Sequence, residues 1–544
     1  MPKTPIRELP ERVKQRLRPR GPRPDTAAAK DGDLPPPLQI SAGLEPYTEP
    51  LDRQKAAHLL RRTSFGASVE RLGELIGMPG NEAAALLVDE ALAAPLPEPP
   101  AWAATYPPWD APEDDQNKYF DLQFPWFEEY AVAWIERMYH VGLREKLTLF
   151  WHDHFATEWG VYFFSIMTYQ YVSLLRGHAL GNFRDFVFQM GLNPAMLVYL
   201  DGQSNTGVEP NENYARELLE LFSMGPFDGQ GNANYTQDDI VELSRALTGW
   251  YVDYGDFTAR FDHFRVDAGE KEIFGQRARF DYGTVHTMIF EQRAQQIAEF
   301  IARKLYSEFV YVTPDEAVVA EMADLFLAND FEIEPVVRAL LQSAHFFDER
   351  TIGAKIKSPA ALFVGMLKET GERILAEDAF HRMHYSMFDL GQGLLEPPNV
   401  AGWPGYRSWV STSTLPARWE EMDYYIEHGL VKYFINLMPL ALQLVDPDDP
   451  MAMFKLPVLL AEHFLAVPAS LLGQEADSLD FKGDLRGNPV PQEIMDGPAH
   501  VRNLAKILLG NAAWYEWSLR HGGRPFSLVQ YFLYLTHLPE YQLT

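Results

Sequence analysis

Apolar positions recur at helical spacing through most of this chain, while strictly alternating runs are scarce. From the amino end the pattern predicts helices over Ala56–Thr63, Ala83–Leu92, Phe127–Tyr139, Leu143–Ala156, Ile166–Arg176, Phe183–Met190 and Glu212–Met224. Farther along it predicts Glu291–Tyr306, Pro314–Ala328, Pro335–Ser343, Pro359–Thr370, Met451–Leu465, His500–Leu509 and Ser527–Leu535. Asn182 with Asp185, and Thr236 with Asp239, match helix starts, because a polar oxygen takes a free N–H and the acid returns a bond. Gly191 and Gly249 fall where helices should stop. Two stretches break the period: Pro95 to Pro112 reads as loop, and Tyr251 to Thr284 has room for a short hairpin. The fold class expected is mainly α, an irregular multi-helix globular protein in one body or two helical lobes, with little or no β.

Punctuation divides the chain into three regions. Residues 1–50, rich in Pro and Arg, predict a disordered or extended arm; residues 51–425 predict a helical core; residues 426–544 predict a helical region packed on that core. A break between lobes is expected near residues 425–450. With 544 residues, 47% of them hydrophobic, the chain can bury a large core. Its net charge of −29 argues against nucleic acid or an anionic membrane as the main partner, since both need a basic surface. Cysteine is absent, which removes disulfides, thiolate metal sites and cysteine nucleophiles. No run approaches the roughly 20 apolar residues that span a bilayer. The basic amino terminus has no apolar stretch behind it, so a cytoplasmic location is the default, with export to the periplasm or beyond as the alternative.

Candidate chemistry centres on PNENYARELLELFSMG, Pro210 to Gly225. Asn211 suits a helix cap, Glu212 suits the positive end of the dipole, and Gly225-Pro226 stops the helix in a left-handed turn. On a regular helix Asn213, Glu217 and Glu220 share one face, which is either a site or a solvated stripe. The sharpest enzyme reading makes Glu217 or Glu212 a general base toward water, with His178 and Arg216 beside it and His154 reaching the same cavity. The alternative is a buried polar network in which Arg216 and Arg245 neutralise Glu212, Glu220 or Glu242. A divalent metal would take His154 and Glu158, one turn apart if the helix continues; a core histidine satisfied by a carboxylate is the other outcome. In LEPPNVAGWPGYRSW, Asn399, Trp403 and Trp409 sit on a turn dense in Gly and Pro, suited to stacking on a sugar ring or to plugging the core. Asn211, Asn213 and Arg245 complete the expected substrate contacts. Phosphate-loop, dinucleotide, GxSxG and HExxH patterns are all missing.

Taken in order, HLLRRTSFGAS, LREKLTLFWHDHFAT, LRGHALGNFRDFV, NPAMLVYLDG, PNENYARELLELFSMG, YTQDDIVELSRALTGW, FIARKLYSEFV and LGQGLLEPPNVAGWPGYRSW resemble the bacterial domain-of-unknown-function 1800 family. The resemblance runs from about Ala57 to the closing LPEYQL and implies a bacterial source and a mainly helical fold. It also implies a partner, a domain-of-unknown-function 1501 protein similar to phosphatases and sulfatases, and an export signal in many members. One departure stands out: in VDAGEKEIFG, Val266 replaces the family's histidine, while Asp267, Gly269 and Lys271 are kept, leaving His263 or His286 as substitutes. The function expected is a hydrolase-like or metal-assisted enzyme acting on a glycan or its sulfate or phosphate esters. The alternative is a non-catalytic helical partner or scaffold.

Overall fold

Helices form where the apolar stripes predicted them, and their ends are set by identifiable caps. The protein, a computed structural model, is described over residues 34–371, 377–428, 437–472, 490–510, 512–520 and 524–544. The first 33 residues of the expected arm, and residues 429–436 of the expected break, lie outside the described residues. Asn182 accepts from the N–H groups of Arg184 and Asp185, and Thr236 with Asp239 forms a reciprocal capping box. The helix Ala294–Phe309 shows how pattern becomes packing. Ile297, Ala298, Ile301, Ala302, Leu305, Tyr306 and Phe309 bury one face against the helix Glu316–Ala328. Each large apolar side chain so buried contributes about 1.5–3 kcal/mol.

Among the described residues strands are confined to two antiparallel hairpins, Trp250–Asp253 with Thr258–Phe261 and Lys271–Ile273 with Gln276–Ala278. Both fall in the stretch expected to hold one. A single contiguous apolar cluster runs from Leu51 to Tyr541. The carboxy-terminal helices join it: Arg524–His537 packs on Thr414–His428, and Ala452–Phe464 packs on Ala499–Leu509. The amino-terminal residues from Leu34 lie along the body, where Thr313 Oγ1 donates to the Pro35 carbonyl and Tyr47 N–H donates to the Gln342 carbonyl. Among the described residues no helix is long and apolar enough to cross a membrane.

Three expectations need correction. The helix expected over Glu291–Tyr306 runs Ala294–Phe309, and a separate helix, Tyr282–Gln292, precedes it, started by a capping box of Asp281 and Thr284 at the end of the stretch expected to be loop. The segment Glu212–Met224 is not one regular helix: an α-helical turn, Asn213–Glu217, passes into a π-helix, Leu218–Ser223. There the Met224 N–H reaches back to the Leu219 carbonyl, and Ser223 Oγ donates to the Leu218 carbonyl. The wider turn rotates Glu220 away from the spacing assumed for it. Helices at Val69–Leu75, Glu113–Asp121, Glu377–Asp389 and Thr414–His428 were not expected. The second of these, EDDQNKYFD, buries only Tyr119 and Phe120, too little apolar surface to leave a period.

Candidate functional site

The face of Leu143–His154 carrying Lys146, Leu149, Phe150 and Asp153 has helical spacing, and so does the Phe300, Arg303, Lys304, Ser307 and Glu308 face of Ala294–Phe309. These two faces meet across a cavity of about 400 Å³. Arg61 and Arg62 close one side, Lys355 and Ile356 another, and the turn from Trp403 to Trp409 a third.

Asp153 sits at the junction. Its Oδ1 accepts from the Trp403 N–H at 2.6 Å, and Oδ2 has no hydrogen-bond partner among the described residues. This contact depends on Gly402, which has φ +81° and where a Cβ would lie 2.3 Å from Asp153 Oδ1. Only glycine lets the GWPG turn settle onto the carboxylate. Burial pushes the Asp153 carboxyl up to about 7, against the opposing effects of the Trp403 N–H and the Lys304 charge. Lys304 is drawn down to about 8 by burial, with Asp153 opposing. Its ammonium donates to His154 Nδ1 at 3.0 Å, and His154 Nε2–H donates to the Phe222 carbonyl at 3.1 Å. Burial, and then the Lys304 charge, hold His154 well below the ordinary histidine range, so its imidazole is neutral.

Glu308 is the second carboxylate. Burial raises it, but Lys146 at 2.9 Å and Lys355 at 3.3 Å outweigh that effect, and it falls to about 2. Lys355 also donates to the carbonyls of Ser307 and Glu308, while burial lowers its own value to about 8. One wall of the cavity therefore holds a carboxyl near neutrality and the other a firmly ionised carboxylate.

Of the expected site residues, His154, Trp403 and Trp409 line this cavity. Glu212, Glu217, His178 and Arg216 do not, so the expected four-way convergence with His154 is not formed. Glu212 pairs with Arg216 at 3.0 Å and accepts from Gln237. Glu217 is half-buried and raised by burial, with Glu220 adding to the effect and Arg216 opposing it. His178 stacks on Phe186 at 5.1 Å. Asn211 accepts from the Asn213 N–H but lies one position before the cap residue, Glu212, and Asn213 donates to Asp201. Arg245 is taken up by Asp267 and Glu242. Asn399 accepts from the Ala401 N–H, which shapes the turn before Trp403.

The helix carrying His154 ends there rather than at Ala156, so Glu158 belongs to the cap of the next short helix, Trp159–Tyr162, and not to the same face. Both ring nitrogens of His154 are engaged, by Lys304 and Phe222, and a metal would have to displace one of them. Among the described residues no group of three or more His, Asp or Glu is placed to hold a metal ion. Trp403 and Trp409 are nearly buried, which places the exposed apolar side chains elsewhere, at Val208, Phe261 and Phe264. Around Val266, Asp267 is bound by Arg245 and Lys271, and neither His263 nor His286 reaches the cavity.

Asp153, Lys304, Glu308, Lys146, Lys355 and Arg62 were missed by sequence reasoning. For Lys146 with Asp153 and Lys304 with Glu308 the signal was present as charges at i and i+7 or i and i+4 on helices with buried apolar faces, whereas Lys355 lies outside any helix and left no such spacing.

This architecture makes the chain a mainly α-helical protein with a charged, aromatic-edged cavity between its central helices. It belongs to the family described as Protein of unknown function (DUF1800), whose model matches residues 58–514. No curated protein and no solved structure matches the chain.

Proposed function

We propose that the chain is a hydrolase acting on a glycan, with Asp153 as the proton donor and Glu308 as the ionised partner carboxylate. The observation that carries the reading is the unlike surroundings of two carboxyl groups in one cavity: Asp153 accepts one backbone N–H in a setting whose burial favours its protonated form, whereas Glu308 is held ionised between Lys146 and Lys355. Cleavage of a glycosidic bond needs such a division, one acid to protonate the leaving oxygen and one carboxylate to activate water or to stabilise the sugar cation. Tyr406, half-buried where Trp403 and Trp409 are nearly buried, is the aromatic of the turn that suits the flat face of a sugar ring. Lys304 supports the donor by keeping a positive charge near Asp153 once its proton has left. Four of the segments that carry the family resemblance, those around Arg62, Asp153, Lys304 and Trp403, supply most of the cavity wall.

The test is a panel of polysaccharides and aryl glycosides incubated with the wild-type protein and with Asp153→Asn. The expected result is release of reducing ends by the wild type and a loss of about 10²–10⁴-fold in the variant, the usual contribution of a general acid. Cleavage by Asp153→Asn at the wild-type rate would reject the assignment.

A second reading, a helical partner of a phosphatase- or sulfatase-like protein, is favoured by Val208 and Phe264, which are 96% and 86% exposed. It predicts that Val208→Asp with Phe264→Asp abolishes binding to a purified domain-of-unknown-function 1501 protein; unchanged binding would reject that surface.

A further inference from the structure

The charges around the cavity do not balance. Glu308 is shared by Lys146 and Lys355, and Asp153 is the nearest carboxylate to influence Lys304 without forming a direct ion pair with it. Arg62 is almost wholly buried, and its only hydrogen bond among the described residues is from Nη2 to the Thr351 carbonyl. Its Nε and Nη1 have no hydrogen-bond partner among the described residues. Two further arginines of the lining are already taken, Arg61 by Glu369 and Arg303 by Glu299 and Glu316. Arg62, Lys146, Lys304 and Lys355 thus face the carboxylates of Asp153 and Glu308 and the carboxyl end of Thr544, a surplus of one positive charge that becomes two when Asp153 is protonated.

That surplus is enclosed in a protein whose net charge is −29. Buried cations without counterions are costly, and an anion entering the cavity would recover part of that cost. Protonation of Asp153 enlarges the surplus, so the state that can donate a proton is also the state most receptive to an anion.

We propose that the cavity recognises an acidic sugar, one whose ring carries a carboxylate, sulfate or phosphate group, with the oxyanion held by Lys304 in the field of Arg62. The proposal rests on the glycan reading above and deepens it: the aromatic rim takes the ring and the cationic wall takes the charge. Long-range repulsion from the acidic surface then slows entry of polyanions, while a short-range pocket of opposite sign retains the ligand.

Binding of D-glucose, D-glucuronate, D-glucose 6-sulfate and D-glucose 6-phosphate, measured by calorimetry on the full chain, tests this directly. The expected result is affinity for at least one charged sugar about tenfold or more above glucose, weakening as salt is added, with glucose indifferent to salt. Which of the three wins identifies the source of the oxyanion. Lys304→Met should bring charged and neutral sugars to parity while circular dichroism remains that of the wild type. If that variant fails to fold, the salt dependence of the wild type still decides. Equal affinity for glucose and all three charged sugars would overturn the inference and leave the hydrolase reading standing. Strong acidic-sugar binding with unchanged cleavage by Asp153→Asn would keep the inference and remove the hydrolase reading.

Discussion

Asp153 gains its properties from what touches it. One oxygen is fixed by a backbone N–H, the other accepts no hydrogen bond among the described residues, and burial pushes the carboxyl up to about 7. Hydrolysis that requires this proton should fall as pH rises through about 7, and a pH–rate profile checks the limb. Glu308 behaves oppositely. Because its folded value is depressed, its contribution to stability is present above the ordinary glutamate range and is lost as pH falls toward about 2. Glu308→Gln should therefore cost about 3 kcal/mol at pH 7, with the gap to wild type closing under acid, as read by urea denaturation. Gly402→Ala combines a positive φ with a Cβ set against Asp153 and should lower stability by about 1–3 kcal/mol. A Gly402→Ala protein with wild-type melting temperature would mean that the turn does not rest on the carboxylate as described.

Helices were the readable part of this sequence, since an apolar stripe such as Ile297, Ile301 and Leu305 has few other ways to be buried. Caps were readable too, as Thr236 with Asp239 shows. Irregular helices were not. The π-turn at Leu218–Ser223 is closed partly by Ser223 Oγ on the Leu218 carbonyl, a bond that no spacing rule announces. That turn also aims the Phe222 carbonyl at His154, so it helps to set the cavity floor. Ser223→Ala should cost about 1 kcal/mol, the usual worth of one such bond, measured as a shift in urea midpoint. The site was only partly legible for a related reason. His154, Trp403 and Trp409 stood out singly, but Asp153 acquires meaning only when Lys304 and the GWPG turn, each at least 150 residues away, are folded against it. The motif around Glu217 was locally more conspicuous, yet its arginine is satisfied by Glu212 and Gln237.

Across the molecule, the cavity depends on the helix Arg53–Ser64 being tied to the carboxy-terminal region. Arg61, next to Arg62 of the cavity, donates to Glu369 and to the carbonyls of His463 and Leu465. His463 in turn bonds the Glu369 carbonyl and meets Arg53. Replacing Arg61 by Met leaves a buried carboxylate uncompensated, at a cost of about 3–5 kcal/mol, and should loosen the helix Ala452–Phe464 to proteolysis. Wild-type resistance in that variant would show that apolar packing alone holds the two regions together. The two carboxyl groups of the cavity are expected to titrate far apart. Carbon-13 NMR of Asp- and Glu-labelled protein, with resonances assigned by Asp153→Asn and Glu308→Gln, measures it directly. The account predicts that the Asp153 carboxyl titrates near 7 while that of Glu308 stays ionised down to pH 4. Titration of both groups together in the ordinary carboxylate range would contradict it.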